Sequence, residues 1–122
     1  MSKRVLVVDD SATIRQQVRL ALEAAGFEVL EAVDGVDGVA KIGELADLSA
    51  VICDVNMPGK SGLELLESVK AEPKNADLPI VMLTTEGQPT LVQRAKKAGA
   101  KGWIIKPFKA ELLVAALKKL TA

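Results

Sequence analysis

The sequence predicts an α/β fold of five βα units, (βα)5, forming a doubly wound parallel sheet of five strands. Two observations predict it. Short β-branched apolar runs alternate with segments whose apolar residues recur at helical spacing, and the alternation continues from Arg4 to Leu120 with no linker, repeat or low-complexity stretch. Several of the runs are apolar at successive positions, which marks strands buried on both faces, as parallel strands are. The 122 residues suit one compact domain, expected over residues 1–122, and leave little room for a second, so no output domain is expected.

Each element has its own reason. Arg4 to Asp9 reads as the first strand, with Val5, Leu6, Val7 and Val8 in an unbroken apolar run. Ile14, Val18, Ala21, Leu22 and Ala25 then recur at helical spacing, and Gly26 stops that helix. Phe27 to Glu31 is a second, more polar strand, which suits a sheet edge. Asp34 is an N-cap for a helix running to about Ala46. Ala50 to Asp54 is the third strand. A Pro- and Gly-rich loop, Met57 to Gly62, leads to a helix carrying Leu63, Leu66 and Val69 that ends before Pro73. Leu78 to Thr84 is the fourth strand, with Pro79 at its start, where proline is tolerated. A helix from about Pro89 to Ala98 is ended by Gly99, Gly102 to Lys106 is a short fifth strand, and Leu112, Leu113, Ala116, Leu117 and Leu120 give the last helix an apolar stripe.

Right-handed crossovers and five strands favour the order 2-1-3-4-5, the flavodoxin-like arrangement. Ligands of such sheets sit at the carboxyl ends of the strands. Those ends carry Asp9 and Asp10 on the first strand, Asp54 on the third, Thr84 on the fourth and Lys106 on the fifth. The topology therefore gathers three carboxylates, a hydroxyl and an ammonium at one rim. Two carboxylates about 4 Å apart repel by about 4 kcal/mol at an effective dielectric near 20. One lysine does not neutralise three acids, whereas a divalent cation does. An all-oxygen site suits Mg²⁺, with Mn²⁺ as the alternative. Phosphoryl transfer needs positioning and charge neutralisation above all, and a carboxylate is a competent nucleophile for it. Taken singly, each residue has a plainer explanation: Asp9, Asp10 and Ser11 as helix caps, Asp54 as a turn residue, Thr84 as a strand-end hydroxyl and Lys106 as a surface lysine. Their joint placement at four strand ends is what favours chemistry.

Composition excludes several classes. The chain has no His, so it has no histidine-based catalysis, and any phosphohistidine belongs to a partner. Cys53 is the only cysteine, which rules out an internal disulfide and suits a reducing cytoplasm. No apolar run approaches the roughly 18 residues of a membrane span, and no signal peptide is visible. Gly59-Lys60-Ser61 imitates the end of a P-loop, but Asp54 stands where that motif needs its first glycine.

The motif set resembles that of response-regulator receiver domains. Asp9-Asp10 follows an apolar strand, Asp54-Val55-Asn56-Met57-Pro58 is followed by Gly62, and Thr84 and Lys106-Pro107-Phe108 complete the set in order across essentially the whole chain. Within the family the chain is most similar to the single-domain, CheY-like chemotaxis regulators. The resemblance implies that Asp54 is the phosphoacceptor. It implies that Asp10, Asp54 and the Asn56 backbone carbonyl hold Mg²⁺, with Asp9 acting through water, and that Thr84 and Lys106 contact the phosphoryl oxygens. It also implies a cis Lys106–Pro107 peptide, a switch pair of Thr84 and Trp103, and tuning of dephosphorylation by Asn56 and Glu86. Thr85 stands where the family often has Ala, and Trp103 where it often has Tyr or Phe; the indole reads equally well as a core anchor. The function so implied is that of a phosphorylation-activated signalling switch in a two-component system, not of an enzyme. A histidine kinase would be the donor, a flagellar motor switch or other motility protein the target, and a phosphatase a further partner.

Two rival readings of the fold fare worse. A haloacid-dehalogenase-type phosphatase wants its nucleophile in a D-x-D pair after the first strand, whereas here the pair is adjacent. A flavodoxin wants a phosphate loop after the first strand, where Asp9-Asp10 would repel a flavin phosphate. Charge points to a partner face. Residues 1–87 hold 8 Lys/Arg and 15 Asp/Glu, while residues 88–122 hold 8 Lys/Arg and one acid, Glu111. Lys96, Lys97, Lys101, Lys109, Lys118 and Lys119, with Trp103, make the last two helices and fifth strand a basic face expected to meet an acidic protein segment. No nucleic-acid reading helix or stacking aromatics accompany these lysines. A face of one sign also disfavours self-association, so a monomer is expected.

Overall fold

The computed structural model describes residues 3–45, 47–57, 60–85 and 89–122. Its elements are β1 (Arg4–Val8), α1 (Ala12–Ala24), β2 (Glu28–Ala32), α2 (Gly35–Glu44), β3 (Leu48–Asp54), α3 (Gly62–Lys70), β4 (Ile80–Thr84), α4 (Pro89–Ala98), β5 (Gly102–Ile105) and α5 (Ala110–Leu120), with a 3-10 turn at Pro73–Asn75. The strands form one parallel sheet in the order β2-β1-β3-β4-β5. This is the expected order, and β2, the more polar strand, lies at an edge.

The unbroken apolar runs are explained by the two faces of the sheet. Val5, Val7, Ala50, Ile52, Val81 and Leu83 point to one side, where they pack with Val18 and Leu22 of α1 and Leu113 and Leu117 of α5. Leu6, Val8, Val51, Cys53, Ile80 and Met82 point to the other, against Ile42 of α2, Leu63, Leu66 and Val69 of α3 and Ala95 of α4. Successive strand residues alternate between the two cores, so neither face is left for polar residues.

Local chemistry sets the helix ends. The Ser11 hydroxyl accepts from the Ile14 N–H, and the Asp34 carboxylate accepts from the Asp37 N–H, as its N-cap reading requires. Ser61 and Glu64 form a reciprocal capping box at the start of α3. Gly26 ends α1 with φ of 96°, a left-handed conformation that a side chain would resist. The Phe27 N–H then bonds back to the Leu22 carbonyl, so β2 starts at Glu28 rather than at Phe27.

Other boundaries differ from expectation for similar reasons. β4 begins at Ile80, not Leu78, because the Lys70 ammonium donates to the carbonyls of Asn75 (3.0 Å), Ala76 (3.1 Å) and Leu78 (2.6 Å) and holds this stretch as a turn. β3 begins earlier, at Leu48, across an irregularity in its pairing with β1 at Arg4/Val5. α2 ends at Glu44, and Ala46, its expected end, lies outside the described residues. Among the described residues no helix is long and apolar enough to cross a membrane.

Candidate functional site

The sheet brings the strand-end acids together. Asp9 follows β1, and its N–H still pairs with the Ala32 carbonyl of β2 at 3.1 Å. Asp54 is the last residue of β3, opposite Leu83 of β4. One carboxylate oxygen from each of Asp9, Asp10 and Asp54 lies within 4.8 Å of the others. Asp9 and Asp54 are only 1% and 4% exposed, whereas Asp10 is open to solvent. Lys106, one residue beyond β5, reaches into this group: its Nζ lies 3.1 Å from Asp9 Oδ2 and 3.2 Å from Asp54 Oδ1. The Lys106 N–H is in turn held by the Thr84 carbonyl at 2.7 Å, and the Lys106–Pro107 peptide is cis, as expected.

Three carboxylates face one ammonium, and the ionisation of the buried pair shows the imbalance. Burial raises the Asp54 pKa above the ordinary carboxylate range, and the Asp9 charge adds to that rise; Lys106 and the Asn56 backbone N–H, both bonded to the carboxylate, only partly offset it. Burial alone would lower the Lys106 pKa, but its bond to Asp9 and the charges of Asp9 and Asp54 outweigh burial and raise it. The lysine therefore stays charged while the site keeps surplus negative charge. An all-oxygen donor set with one solvent-facing carboxylate fits a hard divalent cation that keeps part of its water.

A close backbone approach holds the cluster's shape. Gly62 begins α3, and its N–H donates to the Val55 carbonyl at 3.0 Å. A Cβ at Gly62 would run into the Asp54 carbonyl oxygen, so α3 packs this tightly behind Asp54 only with glycine there. Cys53, next in line, is fully buried on the opposite face from Ile52, and burial pushes its thiol pKa up, which makes it inert.

The remaining predicted residues are placed as follows. Thr84 is fully buried at the end of β4, between β3 and β5 in the sheet. Trp103 pairs with Met82 across β4 and β5 and packs, half-buried, against the core under α3 and α4. Its ring borders a cavity of about 80 Å³ with Val92, Ala95, Lys96 and Lys101. Asn56 is exposed, with its N–H on the Asp54 carboxylate. Glu86 lies outside the described residues, as do Pro58 and Gly59 of the motif loop.

The basic face is less continuous than its sequence span suggests. Lys96 and Lys101 flank Trp103, but Lys97 lines a groove between α3 and α4, and Lys118 lies beside Lys3 and Phe27 at a separate cleft. Lys109 and Lys119 are exposed at the two ends of α5. Sequence reasoning missed Arg15 and Glu31. Arg15 Nη1 donates to the Asp9 carbonyl at 2.6 Å and its Nε to Glu31 at 2.8 Å. An arginine in α1 meeting a glutamate of β2 is a long-range contact that carries no local signal.

Residues 5–118 match the sequence profile of the response regulator receiver domain, from the second residue of β1 into the last turn of α5, and the chain belongs to that family. Within the family it is similar throughout to chemotaxis proteins of the CheY type. It is 42% identical to the chemotaxis protein CheY homolog of Campylobacter jejuni over 90% of this chain and 85% of that one. It is 41% identical to chemotaxis protein CheY1 of Helicobacter pylori, with 90% of each chain covered. Its structure matches that of chemotaxis protein CheY4 of Vibrio cholerae with a TM-score of 0.92 and 41% identity, over 98% of this chain and 99% of that one.

Proposed function

We propose that this receiver is a single-domain, phosphorylation-activated switch of a chemotaxis-type two-component system, and that Asp54 takes its phosphoryl group from a phosphohistidine of a partner histidine kinase. The observation that carries the reading is the Asp54 carboxylate itself: buried, 3.2 Å from the Lys106 ammonium, and within 4.8 Å of two further acids that a single lysine leaves unbalanced. CheY-like receivers are signalling domains rather than enzymes, and the similarity to chemotaxis proteins of the CheY type supports the switch reading.

Asp9, Asp10, Asp54 and the Asn56 carbonyl would hold Mg²⁺, or Mn²⁺ in its place. The bound cation supplies the positive charge that lets an anionic phosphoryl group approach three carboxylates. The Asp54 oxygen attacks phosphorus, the P–N bond of the phosphohistidine breaks, and the departing imidazole nitrogen takes a proton from solvent. Lys106 neutralises a phosphoryl oxygen, and the Thr84 hydroxyl donates to another. Hydrolysis reverses the gain: water attacks phosphorus, the acyl phosphate bond breaks, and Asp54 returns to a carboxylate, with Asn56 and Glu86 ordering that water. Thr84 and Trp103 carry the change to the surface of α4, β5 and α5, where a flagellar motor switch or other motility protein binds. The protein works in the cytoplasm as a monomer, with no nucleic-acid partner, and a phosphatase serves as an additional partner. Acetyl phosphate with Mg²⁺ should add the mass of one phosphoryl group to the intact protein. An adduct that forms equally in Asp54→Ala, or without a divalent metal, refutes the proposal.

A further inference from the structure

Every polar group of Asp9 is engaged. Its N–H pairs with Ala32, Oδ1 accepts from the Ser11 N–H at 2.9 Å, Oδ2 faces Lys106, and its carbonyl accepts from Arg15 Nη1 at 2.6 Å. The last bond differs from the others. The Asp9 carbonyl belongs to the peptide plane that joins Asp9 to Asp10, so fixing the carbonyl fixes that plane and the direction in which Asp10 leaves it. Asp10 is the exposed member of the acid cluster. β2 ends at Ala32, so the Arg15 guanidinium provides a donor at the point where the edge strand leaves the sheet.

The guanidinium is itself held in place. Its Nε donates to Glu31 Oε1 at 2.8 Å, its side chain is only 14% exposed, and the second oxygen of Glu31 is taken by Arg19 at 2.8 Å. Arg19 reaches on to Glu23 at 3.1 Å. The result is a planar fork anchored on β2 that presents one N–H to the β1–α1 turn, a geometry that lysine does not reproduce. We propose that Arg15, held by Glu31 and Arg19, is a positioning residue that orients Asp10 for the divalent cation. This rests on the metal-site reading above and adds a part to it.

Charge alone predicts the opposite of this proposal. Arg15 is a cation near a cation site, so its removal should tighten metal binding if electrostatics were its only influence. Removing an orienting residue should weaken binding by about 10-fold or more, the usual loss when support behind a metal ligand is removed. The test titrates Mn²⁺ by electron paramagnetic resonance into the wild type, Arg15→Met, Arg15→Lys and Asp10→Asn, each shown folded by circular dichroism. The proposal expects about 10-fold weaker binding in both Arg15 variants, including the lysine that keeps the charge. A role in stability alone would lower the melting temperature and leave the affinity of the folded protein unchanged. Wild-type affinity in both Arg15 variants, or tighter binding in Arg15→Met, overturns the proposal while leaving the metal site intact. If the wild type binds no Mn²⁺, or Asp10→Asn binds it as well as the wild type does, the metal-site reading falls and the proposal falls with it.

Discussion

Asp54→Asn should stabilise the metal-free protein while abolishing its proposed chemistry. The substitution keeps the shape of the side chain and removes its charge. One buried neighbour, Asp9, lies within 4.8 Å, a repulsion of about 3.5 kcal/mol at an effective dielectric near 20. Asp10 adds a smaller share, because it is exposed and screened by water. Against this stands the attraction of Lys106 at 3.2 Å, about 5 kcal/mol on the same scale. These terms nearly cancel, and the cost of taking the carboxylate out of water then favours the neutral side chain. A net gain of about 1–2 kcal/mol raises the melting temperature of a chain this size by about 3–10 °C. The pH dependence follows from the raised Asp54 pKa. The folded state holds that proton at a pH where the unfolded chain has released it, so the stabilisation is present below the unfolded-state value and is lost as pH rises through the folded-state value. The variant's advantage is therefore full near neutrality and shrinks as acid protonates Asp54 in the wild type. Differential scanning calorimetry in the presence of a chelator, at neutral and at acidic pH, measures it. A variant less stable than the wild type at neutral pH, or a gain unchanged by pH, would show that the Asp54 charge is not a net cost to the fold.

Further outcomes follow from the same geometry. Trp103 is the only tryptophan, so its emission and iodide quenching should change when Mg²⁺ and beryllofluoride are added, not change in Asp54→Ala, and change less in Thr84→Ala; unchanged spectra after verified binding would make the indole a fixed anchor. Replacing Asn56, whose N–H bonds Asp54, and Glu86 with apolar residues should lengthen the aspartyl-phosphate half-life measured by loss of the adduct mass. Target binding should weaken as salt rises, most of all through Lys96 and Lys101 beside Trp103, and sedimentation should find a monomer; tight dimerisation of the phosphorylated form through this face would contradict the charge argument.

Much of the fold was legible in the chain because both faces of the sheet are covered. Val5 to Val8 and Ile80 to Leu83 have no polar position, as suits parallel strands covered on both faces. The acid cluster was legible for a related reason: Asp9, Asp54 and Lys106 each stand at the end of such a run, the strand order makes the ends of β1 and β3 neighbours, and the long Lys106 side chain reaches them from β5 across the end of β4. Contacts without local pattern stayed hidden. Nothing near Lys70 announces that its ammonium will gather three carbonyls and delay β4 to Ile80. Nor does a run of charge reveal its distribution in space, and Lys97 and Lys118 prove to face different clefts. Arg15 and Glu31 were unreadable in the same way, since their meeting depends on α1 crossing β2.

Borohydride trapping identifies the residue that carries the phosphoryl group. The protein treated with acetyl phosphate and Mg²⁺ is reduced with borohydride, which converts an aspartyl phosphate to homoserine, and its peptides are sequenced. Homoserine at position 54 and nowhere else is the predicted result. Homoserine at position 9 or 10, or none in a sample whose intact mass shows the adduct, would rule out Asp54 as the phosphoacceptor.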